Sequence, residues 1–195
     1  MRLIVPALAL CFILGLGSVA SAQGGVIIGL NSAEIEFTGT DVDPDRRTGL
    51  AAGLFLNLPL GGTFSIQPEV LYSQKGTKFE EDAAEVTIEI DYLDIPVLAR
   101  VASGPTGFAL FVGPSFGFKV RARAKGEADG SEASEDIGED VESFDVGFIL
   151  GAGYQSPRMF LDGRFQWGLS NLNKVEAEVT EMKNRVFSIL LGFRL

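Results

Sequence analysis

Asp41, Asp43 and Asp45 alternate as the first oxygen ligands of a calcium loop do. The rest of that pattern is missing. Arg46 stands where the tight-turn glycine belongs, and Ala52 where a bidentate glutamate would close the cage. The stretch therefore reads as an exposed acidic loop. A second acidic run, Glu127, Asp129, Glu132, Glu135, Asp136, Glu139, Asp140 and Glu142, faces only Lys125 in its segment. Such a run could hold divalent cations or a basic partner, but its ordinary role is a solvated loop. A third set mixes both signs: Glu69, Asp94, Asp145 and Asp162 with Arg100, Lys119, Arg121, Arg164 and Arg194. Each alternates with apolar neighbours, which places the set on one face of extended strands.

Other chemistry is excluded by residue type. The chain has no histidine, so histidine bases, triads and histidine-ligated zinc are absent. Its one cysteine, Cys11, lies in the leader, so no disulfide framework is expected. A formal charge of −10 without a basic run argues against nucleic acid as a partner. No catalytic, cofactor-binding or metal-ligating residue is assigned, no cofactor is expected, and the chain is not read as an enzyme.

The leader itself is a targeting pattern. Met1-Arg2 supplies a positive start, Leu3 to Gly17 is almost unbroken apolar, and Ala20-Ser21-Ala22 is a small-x-small cleavage site. An uncleaved anchor is the alternative, disfavoured by Gly15, Gly17 and Ser18. The expected division is a signal peptide over residues 1–22 and one domain over 23–195.

That domain carries a period of two. From Phe108 to Val120, one face reads Phe108, Leu110, Val112, Pro114, Phe116, Phe118, Val120, and the other holds small and polar residues. Eight such strands are predicted: Gly25–Phe37, Thr48–Leu58, Thr63–Gln74, Thr87–Ala102, Phe108–Val120, Ser143–Gln155, Met159–Ser170 and Arg185–Leu195. The first has mixed alternation. Short turns at 59–62, 103–106 and 156–158 alternate with long loops at 38–47, 77–86, 125–142 and 172–183. No later apolar run is long enough for a helical span, so a membrane crossing must use a closed barrel. Phe64, Phe108, Tyr154 and Phe193 fall near one rim, and Tyr72, Phe118, Phe144, Trp167 and Phe187 near the other. Ten residues at ~3.3 Å each and a tilt of ~40° span roughly 25 Å, the height of a membrane-facing apolar band between aromatic girdles.

The fold class predicted is all-β: an eight-stranded antiparallel up-and-down transmembrane β-barrel, preceded by a cleaved signal peptide. Its apolar face points to lipid and its charged face to the lumen. The inverse, a soluble periplasmic ligand-binding barrel with the apolar face inward, is the structural alternative.

Several segments together carry a family resemblance. They are Gln67 to Gly76 (QPEVLYSQKG), Tyr92 to Leu98 (YLDIPVL), Gly113 to Gly117 (GPSFG), Phe144 to Gly147 with Gly151 to Tyr154, Arg164 to Leu169 (RFQWGL) and Gly192 to Leu195. The chain resembles the PorT-like outer membrane β-barrel domain family, loosely called "porin family" proteins. The resemblance implies an eight-stranded barrel of a Gram-negative outer membrane, with no shared catalytic residues. Two features depart from simple expectation. The last residue is Leu195, where such proteins commonly end on an aromatic, and Pro68, Pro96 and Pro114 lie inside strands. A missing N–H removes a ladder bond, so a bulge is expected at each proline.

The functional expectation is an integral outer-membrane protein with a packed lumen and acidic extracellular loops, in a structural or surface-interaction role. A narrow channel or a secretion-accessory barrel is the alternative. Expected partners are outer-membrane lipid and lipopolysaccharide, the barrel-assembly machinery during biogenesis, and an extracellular or secretion partner. Export is expected through the Sec pathway.

Overall fold

The computed structural model describes residues 22–38, 44–81, 84–128, 131–173 and 181–195. The signal-peptide segment 1–21 and the first two loop aspartates, Asp41 and Asp43, lie outside the described residues. The strands are β1 (Gln23–Thr38), β2 (Asp45–Gly61), β3 (Phe64–Glu81), β4 (Ala84–Ala102), β5 (Gly107–Ala128), β6 (Ser131–Asp136), β7 (Phe144–Gln155), β8 (Met159–Gly168) and β9 (Glu181–Arg194). β1, β2, β3, β4, β5, β7, β8 and β9 pair antiparallel in that order, and β9 returns to β1. The predicted eight-strand ring is therefore closed, with no edge within it. β6 stands outside the ring, paired with the outer end of β5.

The ring's faces follow the alternation. Phe108 is 74% exposed and Leu110 66%, whereas Ala109 and Phe111, which alternate with them and face the lumen, are 1% and 2% exposed. The aromatic rims are real neighbourhoods. Phe108 meets Tyr154 edge-on at 5.4 Å on the short-turn rim, and Phe118 meets Phe144 at 5.2 Å on the opposite rim. At the short-turn end the backbone reverses through Gly61 (φ 122°) and Gly62 (φ 59°), conformations that side chains other than glycine's resist.

Three expectations are corrected. The 77–86 loop is strand: pairing runs unbroken from Gly76↔Glu89 to Glu81↔Ala84. Much of the 125–142 loop is strand too, since Arg123↔Asp136 to Ala128↔Ser131 form a hairpin. Thr77, Phe79, Val86 and Ile88 keep β-favouring residues on the ladder beyond the rim. The acidic residues at the tips had obscured this continuity.

The third correction concerns the prolines. Register is unchanged across Pro68, Pro96 and Pro114, so none sits at a bulge. Instead the ladders skip pairs beside them: between Phe55↔Glu69 and Leu58↔Ile66, between Pro68↔Val97 and Leu71↔Asp94, and between Pro96↔Ser115 and Ala99↔Val112. Each proline keeps a partner on one side and loses pairing on the other, which costs less distortion than inserting a residue. The bulges lie elsewhere, between Arg46 and Ala51, Pro59 and Gly61, and Asp91 and Tyr92.

β1 reads as mixed for a physical reason. Val26, Ile28 and Leu30 point outward, while Ile27, Ala33 and Ile35 are buried inside. Both faces are apolar because the lumen has apolar layers as well as charged ones.

Candidate functional site

The lumen is built in layers. Nearest the short-turn end, Phe55 packs edge-on to Phe160 at 5.0 Å, within a cluster of Ile27, Ala51, Leu71 and Leu190. A second cluster joins Leu98, Phe111 and Ile149. These rings need glycine opposite them. A Cβ on Gly151 would come within 2.2 Å of the Phe111 ring, so the bare backbone there is what admits the side chain.

Against these rings lies a chain of four charges. Arg100 (β4) forms a two-pronged pair with Asp162 (β8) at 2.6 and 3.1 Å. Arg164 (β8) grips Glu69 (β3) at 2.7 and 3.2 Å and reaches Asp162 at 3.4 Å. Gln67 donates to Glu69 at 2.8 Å. Two cations and two anions balance, and the guanidinium of Arg100 lies 4.7 Å from the Phe111 ring centre and 5.1 Å from that of Phe160. Fork-shaped pairing and ring faces together replace the water these charges give up.

Further out, Lys75 bonds Asp94 at 3.0 Å and lies over the Tyr92 ring at 4.7 Å. Asn184 donates to Asp145 at 2.8 Å, and Asn31 links Ser73 to Ser188. Above this polar layer is an apolar cap. Ile35, Ile90, Tyr92, Ala122 and Val141 are buried together, with Phe37, Ile88, Ile137 and Met182 against them. The segment after β6 supplies Ile137 and Val141, and Lys119 fastens it by donating to the carbonyls of Gly138 and Val141. The cap is not legible as a site in the sequence, because its members come from five separate stretches of chain.

Glu69, Asp94, Arg100, Asp145, Asp162 and Arg164 thus lie in the lumen as predicted. Lys119 turns inward at the cap, and Arg194 lies half-buried at the short-turn rim, bonded to Gln155 at 3.1 Å. Arg121 does not follow. Asp91↔Arg121 is succeeded by Tyr92↔Lys119, so Val120 is an extra residue on β5. This bulge inverts the strand's faces beyond it. Ala122 enters the cap, and Arg121, Arg123 and Lys125 turn outside. The apolar-basic alternation runs on unbroken through Val120-Arg121-Ala122-Arg123, so the sequence carries no mark of the inversion. Deleting Val120 should restore the simple register. An Arg123→Cys variant, labelled readily by a membrane-impermeant maleimide, should then stay labelled, because Asp91 remains opposite Arg121 once the extra residue is gone; protection on deletion would refute the bulge's role.

The acidic candidates are dispersed. Asp45 is exposed and its carbonyl accepts from Thr77 at 2.8 Å, while Arg46 is engaged by Glu34 at 2.9 Å. Asp136 accepts from the Gly138 N–H at 2.8 Å, and Asp129 lies outside the described residues. Among the described residues, no three carboxylates converge on a cation position.

Comparison with known proteins agrees with this architecture. Residues 20–174 match the model of a family described as outer membrane protein beta-barrel domain. The fold is similar to Ail, the attachment invasion locus protein of Yersinia pestis, at 13% identity and a TM-score of 0.50, covering 90% of this chain and 99% of that one. It is equally similar to Neisserial surface protein A, with 13% identity, a TM-score of 0.50 and the same coverage. No curated protein sequence matches the chain. A family match over most of the sequence, on a closed ring with a lipid-width apolar belt, means that this chain belongs to the outer membrane protein beta-barrel domain family.

Proposed function

We propose that this protein is an integral barrel of the Gram-negative outer membrane whose lumen is a packed strut and whose work lies in the strands standing beyond the membrane. The observation that carries this reading is the filled lumen: a neutral four-charge chain, a polar layer and an apolar cap in series. An eight-stranded barrel has room inside for side chains and little else. Among the described residues Glu69, Asp94, Arg100, Asp145, Asp162 and Arg164 are all buried in the lumen, which supports a role without catalysis.

β3, β4, β5 and β6 form a wing above the outer rim. From Phe118 to Ala128 β5 runs ten residues further, roughly 25 Å of height at the usual rise and tilt. Among the described residues β6 pairs on one side only, and it carries Glu135 and Asp136. An exposed strand edge of this kind suits docking of an extended segment of opposite charge. The role is thus structural or surface-interacting, with the acidic hairpins as the presented surface. Sec export with cleavage after Ala22, and insertion by the barrel-assembly machinery, complete the proposal.

Single-channel recording on the purified protein in planar bilayers tests it. No stepwise conductance above that of the bare bilayer is expected. Steady open steps would instead favour the narrow-channel reading.

A further inference from the structure

The chain is acidic overall, yet one sector of its outer wall holds an excess of cations. Just past the girdle residues Tyr72, Leu93 and Phe118, the outward face of β4 offers Asp91 and Glu89, and that of β5 offers Arg121, Arg123 and Lys125. Arg121 pairs with Asp91 at 2.8 Å, and Tyr72 donates to the same carboxylate at 2.7 Å. Glu89 is shared by Lys125 at 3.0 Å and Arg47 at 3.1 Å. With Asp136 of β6 lying opposite Arg123, four cations meet three carboxylates, and Arg123 forms no ion pair among the described residues. Elsewhere on the rim the charges cancel: Arg46 with Glu34, Arg185 with Glu36.

We infer that this β5 row, created by the Val120 bulge, is a binding site for the phosphoryl groups of a phosphorylated glycolipid of the outer leaflet. Depth supports that occupant. Arg121 and Arg123 pair opposite Asp91 and Glu89, two and four ladder steps past the Leu93 and Phe118 pair, or about 5 and 10 Å along the membrane normal, and long side chains reach back from there. That is the level of headgroups, just beyond the hydrocarbon core. Guanidinium forks match phosphate geometry, and cations two residues apart on one strand face are about 7 Å apart, so one headgroup can be gripped twice. The row is continuous with lipid-facing Leu93 and Phe118, which would contact the acyl chains of the same molecule.

The test uses the full barrel reconstituted in phosphatidylethanolamine vesicles containing either bisphosphorylated lipid A or its dephosphorylated form. The readout is the midpoint temperature at which the unheated gel band converts to the heated one. Phosphorylated lipid should raise the midpoint by several degrees over dephosphorylated lipid. Arg121→Gln/Arg123→Gln/Lys125→Gln should abolish most of that rise, whereas Arg46→Gln/Arg185→Gln should keep it. Arg123→Gln alone leaves both ion pairs in place and should still lower the rise, so the question stays answerable if the triple variant does not fold. An equal rise with dephosphorylated lipid, or an undiminished rise in both β5 variants, would overturn the inference. So would a midpoint that follows protein concentration instead of lipid, which would make the row a contact for a second copy's acidic hairpin.

Discussion

Glu69→Ala should lower the folding free energy by about 3–5 kcal/mol, because it leaves Arg164 buried against a single anion. Arg164 now bonds Glu69 twice and Asp162 only weakly, at 3.4 Å, while Asp162 is already held by Arg100. Removing Glu69 makes the four-charge chain a three-charge chain with one positive charge in excess. The lumen offers little water to absorb it. Taking out both partners, as Glu69→Leu with Arg164→Met, should cost clearly less than the two single changes summed, since the remaining Arg100–Asp162 pair is neutral. Urea titrations of reversible folding into lipid vesicles give both numbers. A loss below ~1 kcal/mol for Glu69→Ala would mean that water reaches this layer freely.

The second large effect lies on the opposite face. Val112, outward on β5, is midway between the rim residues Phe108 and Phe118. Val112→Arg should cost about 2–4 kcal/mol, and Val120→Arg, beyond the girdle, only about 0–1 kcal/mol. The lumen control is Ser115→Ala. Ser115 is buried with no hydrogen-bond partner for its hydroxyl among the described residues, so its loss should cost under ~1 kcal/mol. Equal costs for Val112→Arg and Val120→Arg would remove the depth gradient and with it the placement of the hydrocarbon belt.

These two sites differ in how far the sequence announces them. The lipid face is local information: every second residue from Phe108 to Phe118 is outward, and the aromatic ends of that run mark the rims. Which lumen charge meets which is not local. Glu69 and Arg164 share a face by alternation, but their meeting depends on ring closure and on glycine slots such as Gly151 that let Phe111 lie under the guanidinium groups. The bulge at Val120 is the clearest failure of pattern reading, because a period of two has no way to register a one-residue insertion that leaves it intact. The prolines failed differently. Their sequence effect, a lost donor, was read correctly, but the backbone absorbs it by skipping pairs without gaining a residue.

The paired lumen charges also set an order of assembly. Arg164 is 95 positions from Glu69, and Arg100 is 62 from Asp162. The Ser188 hydroxyl reaches Asn31 across 157. A nascent sheet containing only β1 to β5 would hold Glu69 and Arg100 with neither of their β8 partners, and such a sheet must keep its concave side hydrated. Drying of the interior therefore waits for β8 and β9. Insertion and dehydration become a single late event, and a barrel stalled short of its last hairpin stays wet inside, distinguishable from the finished one by faster hydrogen exchange of the strand amides that its open edges leave unpaired.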